Sequence, residues 1–105
     1  MPGWKPHIQE WEWDEWNLAE LAAHKADDYT VLNVWMESPL YRKNTKGRLG
    51  YRMVGLDGEG TIWSIMIRPV NKHLGVWRAV TGLALENGDD DMTWYKQRTR
   101  KGRKK

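Results

Sequence analysis

The spacing of apolar residues changes period at Asp14, and that switch limits what the first third of the chain can become. In Glu10-Trp11-Glu12-Trp13-Asp14 tryptophans alternate with acids, the two-residue period of a strand with one apolar face. Beyond it, Leu18, Leu21 and Ala22 recur at three and four, the spacing of one helix face. A strand that turns directly into a helix needs a cap at the junction. Asp14 is placed to accept the free amide hydrogens of the first turn. Glu15 follows where the helix dipole favours negative charge. Trp13 and Leu18 have the spacing of a hydrophobic staple. His24 and Lys25 fall in the last turn, where positive charge suits the dipole. The tryptophans therefore read as anchors that fix strand to helix within a core, with an exposed binding platform, for a sugar or a protein, as the alternative.

A second helix is expected over 27–36, capped by Asp27 or Asp28, with Val31, Val34 and Trp35 inward and Pro39 ending it. From residue 40 the pattern is extended. Asn44–Gly47 makes a polar turn, Asp57-Gly58 a hairpin before Thr61–Pro69, Pro69–Lys72 the next turn, and the stretch from His73 to Leu85 the last strand. An acidic loop then leads to a short helix carrying Trp94 and Tyr95, capped by one of Asp89 to Asp91. The expected fold is α+β: two N-terminal helices packed on a small antiparallel meander sheet, with a short C-terminal helix and a basic disordered tail. Residues 1–95 make a single domain and 96–105 the tail.

Charge divides the chain the same way. The last ten residues hold seven Lys or Arg and no acid, so residues 1–95 carry ten basic and fourteen acidic residues, a net of −4, under an overall charge of +3. Such a tail solubilises the acidic body or holds phosphate backbone. There is no cysteine and no Phe, while eight Trp supply the large side chains. The absence of cysteine excludes a disulfide framework and a thiolate zinc site and fits a cytoplasmic protein. No apolar run is long enough to span a membrane, and the N-terminus lacks the apolar core of a secretory signal. His7, His24 and His73 are too scattered for a metal site. Asp89-Asp90-Asp91 lacks the alternation of a calcium loop. Gly55, Gly58 and Gly60 form no phosphate-binding fingerprint. No metal and no cofactor is expected.

The motif Trp11-Glu12-Trp13-Asp14, then Asn17, then Ala23-His24-Lys25, followed by Trp35, Tyr51 to Gly55-Leu56, Thr61 to Arg68, Arg78 to Thr81-Gly82-Leu83, and Tyr95 with a basic terminus, resembles the BrnT family of ribonuclease toxins. That resemblance implies a RelE-like α+β fold, pairing with an antitoxin of the BrnA type, and metal-free RNA cleavage. The chain departs from the family pattern at Ala23, Leu56 and Leu83, where the family carries cationic residues.

Metal-free cleavage needs a base for the 2′-hydroxyl proton, cations for the charge building on phosphate, and an acid for the leaving oxygen. His24, Tyr51 and Arg78 match the pattern and are the candidate catalytic residues. An imidazole is the side chain best suited to act as base or acid near neutrality, which makes His24 a candidate for either role. Its plainer reading is a dipole partner at a helix end, as Tyr51 is plainly read as strand packing. The candidate nucleic-acid contacts are the basic, Tyr-flanked hairpin residues Arg42, Lys43, Lys46, Arg48 and Arg52, with Arg68, and the tail residues Arg98, Arg100 and Lys101. A charged hairpin also serves merely to discourage edge aggregation.

Two functions follow as expectations. One is a toxin-like protein that binds RNA or a ribosome-associated target, cleaves RNA without metal and inhibits growth. The other keeps the fold, has lost the catalytic cations, and acts by binding an antitoxin-like partner, a host protein or nucleic acid, as a phage- or mobile-element-encoded inhibitor would.

Overall fold

The computed structural model describes residues 5–43 and 50–103, with side chains as far as Thr99. The order of elements is β1 (Glu10–Trp11), α1 (Glu15–Ala23), α2 (Asp28–Met36), β2 (Leu40–Lys43), β3 (Tyr51–Leu56), β4 (Ile62–Asn71), β5 (Val76–Ala84) and α3 (Asp90–Arg103). The strands make one five-stranded sheet in the order β1-β5-β4-β3-β2. Strands β2 to β5 form the expected antiparallel meander. The sheet is nevertheless mixed, because β1 pairs parallel with β5, setting Trp11 opposite Trp77. The turn expected at Asn44–Gly47 lies outside the described residues.

Both helix starts follow from local chemistry. Asp14 caps α1 by accepting from the Asn17 N–H at 2.9 Å, and the Asp14 N–H donates in return to the Asn17 side-chain oxygen. Asp27 and Thr30 repeat the device on α2. The inward face of α1 differs from the expected one. Asn17, 2% exposed, and Leu21 are buried, whereas Leu18 is 38% exposed and Ala22 also faces out. The reciprocal cap fixes this rotation, since it holds Asn17 inward, where its amide also donates to the Glu12 carbonyl at 2.8 Å.

The sheet carries a core on each face. Towards α1 and α2 lie Trp11, Leu21, Val31, Val34, Met53, Trp63, Ile65, Ile67 and Trp77. Towards α3 lies a smaller cluster of Val54, Leu85, Met92 and Tyr95. Strand alternation explains the division, because neighbours along β3 and β4 face opposite ways. Trp11 buries its indole N–H without a hydrogen-bond partner among the described residues, a cost of about 1–3 kcal/mol. Its ring stands edge-to-face with Trp35 at 5.8 Å. Trp16, by contrast, is 81% exposed.

Two boundaries move. Strand β4 continues through Pro69 to Asn71, and the turn falls at Lys72–Gly75 rather than at Pro69–Lys72. Proline is tolerated there because β3 begins opposite Ile67, leaving Pro69 beyond the paired stretch of that neighbour, and the register with β5 shifts between Pro69 and Asn71. The last helix is longer than the short one expected and takes in residues 96–103 of the basic segment. Asp90 and Asp91 in its first turn and cations in its last turns both suit the helix dipole.

Candidate functional site

Arg78 on β5 lies against the strand-to-helix junction. Its guanidinium donates to Glu12 at 2.6 Å and to Asp14 at 3.1 Å. Burial works against its charge, but the hydrogen bonds to Asp14 and then Glu12 raise its pKa above the usual value. The Asn17 N–H holds the Asp14 carboxyl below the usual carboxylate range, against partial desolvation and with help from Arg78. The candidate phosphate ligand is therefore already committed to two carboxylates and, through Asp14, to the cap of α1.

The hairpin arginines are committed in the same way. Arg42 and Arg52 are cross-strand partners on β2 and β3, and both reach Asp91 of α3 at 2.9 Å. Arg42 also meets Asp90 at 2.8 Å, and the Ser64 hydroxyl donates to Asp91 at 2.7 Å. Asp91 is 8% exposed. Trp94, one turn on, lies beneath Arg42 at 5.3 Å and Arg98 at 4.6 Å, a cation–π arrangement.

His24 is the C-cap of α1. Its Nε2 is 3.5 Å from Glu20, both side chains being about half exposed at 41% and 51%. The same Glu20 carboxylate accepts from the Thr81 hydroxyl at 3.2 Å. Tyr51 begins β3 and packs on Trp77 with ring centroids 5.8 Å apart. The three candidate catalytic residues do not converge. Arg78 holds the N-cap of α1 and His24 is its C-cap, ten residues on, about 15 Å at the helical rise. Tyr51 shares the helix-covered face with Trp77, whereas Arg78, the next residue of that strand, faces the other way.

Of the other candidate contacts, Lys43, Arg68 and Arg98 are exposed. Lys46 and Arg48 lie outside the described residues, and Arg100 and Lys101 fall within α3, their side chains not described. Asp91 is level with Arg52 and Ser64, and Tyr95 packs with Val54 and Leu85. Helix α3 thus starts beside Arg42 and Arg52 and continues towards Val54 and Leu85. Ala23, Leu56 and Leu83 are all exposed.

Sequence reasoning missed Glu12, Asp14, Ser64 and Asp91 as partners of the arginines, and Glu20 and Thr81 beside His24. The i,i+4 spacing of Glu20 and His24 was the one local signal available. Among the described residues no cluster of His, Asp or Glu is fit to hold a metal ion, and no helix is long and apolar enough to cross a membrane. Comparison with family models, curated proteins and solved structures finds no match.

Proposed function

We propose that this chain is a small toxin-like protein that acts by binding RNA, with the basic half of α3 as its electrostatic arm. One observation carries the reading. The acids that begin α3 are drawn onto Arg42 and Arg52, while residues 96–105 carry seven Lys and Arg and no acid. Lys96 donates to Asn87 and Arg98 to the Trp94 carbonyl, both uncharged partners. A helix with one acidic end folded onto the body and a strongly basic sequence at the other suits phosphate backbone, whose binding falls steeply with salt. The order of strand, two helices, meander and basic helix supports the toxin-like reading.

The test is a mobility shift of the full chain with single-stranded RNA at two salt concentrations. Wild type should bind more weakly as salt rises. The triple variant Arg98→Glu, Arg100→Glu, Lys101→Glu should lose at least about tenfold in affinity. Equal binding by the variant would overturn the proposal.

A second reading, metal-free ribonuclease, is favoured by the exposed His24 beside Glu20, since an acid that orients an imidazole is a recurrent feature of general bases. Total RNA in EDTA with wild type and His24→Ala decides it. Cleavage by wild type that fails in the variant would favour an enzyme, and no cleavage by either leaves binding alone.

A further inference from the structure

A cleft of about 360 Å³ opens between the N-terminal segment and the end of α2, in the size range of small-ligand sites. Its walls bring together Trp35, Tyr41, Ser38 and Pro39 with Lys5 and His7. Two glycines hold the walls in place. On one side the segment 5–9 is strapped to the β4–β5 turn by the Gln9 N–H on the Gly75 carbonyl at 2.8 Å, and the Trp77 indole donates to the His7 carbonyl at 2.9 Å. The strap lies so close that a Cβ on Gly75, whose φ is +73°, would meet Gln9 at 2.8 Å and His7 at 3.0 Å. On the other side Pro39 sits on β3 at Gly55, where a Cβ would meet it at 3.0 Å. Ser38 between α2 and Pro39 is left-handed, with φ 57°, and backbone strain of that kind is frequent beside ligands. The edge-to-face contact of Trp35 with buried Trp11 fixes one aromatic wall. Burial pushes the Tyr41 phenol up to about 12.

We propose that this cleft binds one unstacked nucleobase, with its phosphate on Lys5 and His7. Two half-buried aromatic rings offer stacking surface that tolerates any base. The two cationic or protonatable side chains at the rim, both exposed, match a phosphate rather than a neutral apolar ligand. Lys43 lies two residues from Tyr41 on the same face of β2, a second phosphate position if the base belongs to a strand. The proposal extends the RNA reading to the face of the sheet opposite α3, where Tyr41 packs with the α1–α2 core, and stands or falls separately from it.

The test is calorimetric titration of the full chain with uridine, uridine 5′-monophosphate and a uridine pentanucleotide. Saturable binding of the monophosphate is expected. Trp35→Ala should weaken it about tenfold. The double variant Lys5→Ala, His7→Ala should weaken the monophosphate but not the nucleoside. Both variants are melted to verify folding, and because Lys5 and His7 are exposed the double variant decides alone if Trp35→Ala unfolds. A pentanucleotide that binds more tightly than the monophosphate, with the gain lost in Lys43→Glu, assigns the base to an RNA strand. Equal affinities assign a free nucleotide. The α3 triple variant should keep monophosphate binding while losing long RNA, which separates this site from the arm. No saturable binding, or binding indifferent to both cleft variants, would overturn the proposal.

Discussion

Two pairs of arginines face each other across neighbouring strands, Arg42 with Arg52 and Arg68 with Arg78. Like charges placed directly opposite destabilise a sheet, and the molecule resolves the two conflicts differently. At β2–β3 a single carboxylate, nearly buried, serves both arginines and a serine. At β4–β5 one arginine stays exposed and the other is held by two carboxylates that are themselves 43% and 39% exposed. The first arrangement is a keystone, since it joins α3 to three strands. The second is a clasp that ties β5 to the start of α1 and lies within reach of water. The same residue type therefore serves as structure at both places, but with very different dependence on its partners.

The keystone should show the largest effect. Asp91→Ala leaves two guanidinium groups and the Ser64 hydroxyl without their shared acceptor. Removing one partner of a buried pair is costly, and an expected loss of about 3 kcal/mol lies at the low end because both arginines keep some access to water. Urea denaturation measures it. The docking of α3 should weaken with it, so proteolysis within 96–103 should quicken at urea concentrations where the sheet is intact. A loss below about 1 kcal/mol would mean that the other partners of the two arginines, such as Asp90 beside Arg42, suffice without Asp91 and that the keystone description is wrong.

The contrast also shows which features were readable in the chain. Asp14 as a cap, and a cap at Asp27 or Asp28 for the second helix, are legible because a cap is decided within four residues; the structure selects Asp27. Val31 and Val34 as core were legible from helical spacing. The inward turn of Asn17 is not, since a polar amide beside an apolar Leu18 argues for the opposite rotation, and the reciprocal cap outweighs that preference. The fate of Arg78 depends on β1 lying parallel to β5, which brings Glu12 and Asp14 to it from 66 and 64 residues away. Nothing local signals that pairing in a strand of two residues. Asp91 read as one of three equivalent capping acids, and what distinguishes it is Arg42, 49 residues earlier. The candidate cations were thus chosen by type and neighbourhood, while their carboxylate partners are set by topology.

The clasp should be weaker. Arg78→Ala frees Glu12 and Asp14 to water that already reaches them, so a loss of about 1 kcal/mol is expected. Raised salt should shrink the difference between wild type and variant, because exposed pairs are screened. The same salt series on Asp91→Ala should leave the larger difference nearly unchanged. If the two variants respond to salt alike, the distinction between keystone and clasp fails, whatever their absolute costs.

The smallest effect is also the most specific to pH. Asp14 is held below the usual carboxylate range first by the Asn17 N–H, against desolvation, and then by Arg78. Asp57 is lowered too: partial desolvation raises it, but the Glu59 N–H, the Trp63 indole and the Thr61 N–H outweigh that. A carboxylate lower in the folded state takes up a proton on unfolding. Its contribution is complete above the unfolded value of about 3.9 and disappears as pH falls through the folded one. Asparagine is itself a good cap, so Asp14→Asn removes the charge while keeping the hydrogen bond to Asn17. Wild type should exceed this variant in urea midpoint at pH 7, and the gap should close below about pH 4 as Asp14 protonates. Asp57→Asn should show the same closing gap without any sensitivity to Arg78. In Arg78→Ala, by contrast, the gap at Asp14 should narrow at pH 7 but persist, because the backbone N–H is the larger cause of its lowered pKa. A gap that stays constant from pH 7 to 3 would mean that Asp14 acts through shape alone, and the clasp would then be a cap with an arginine beside it.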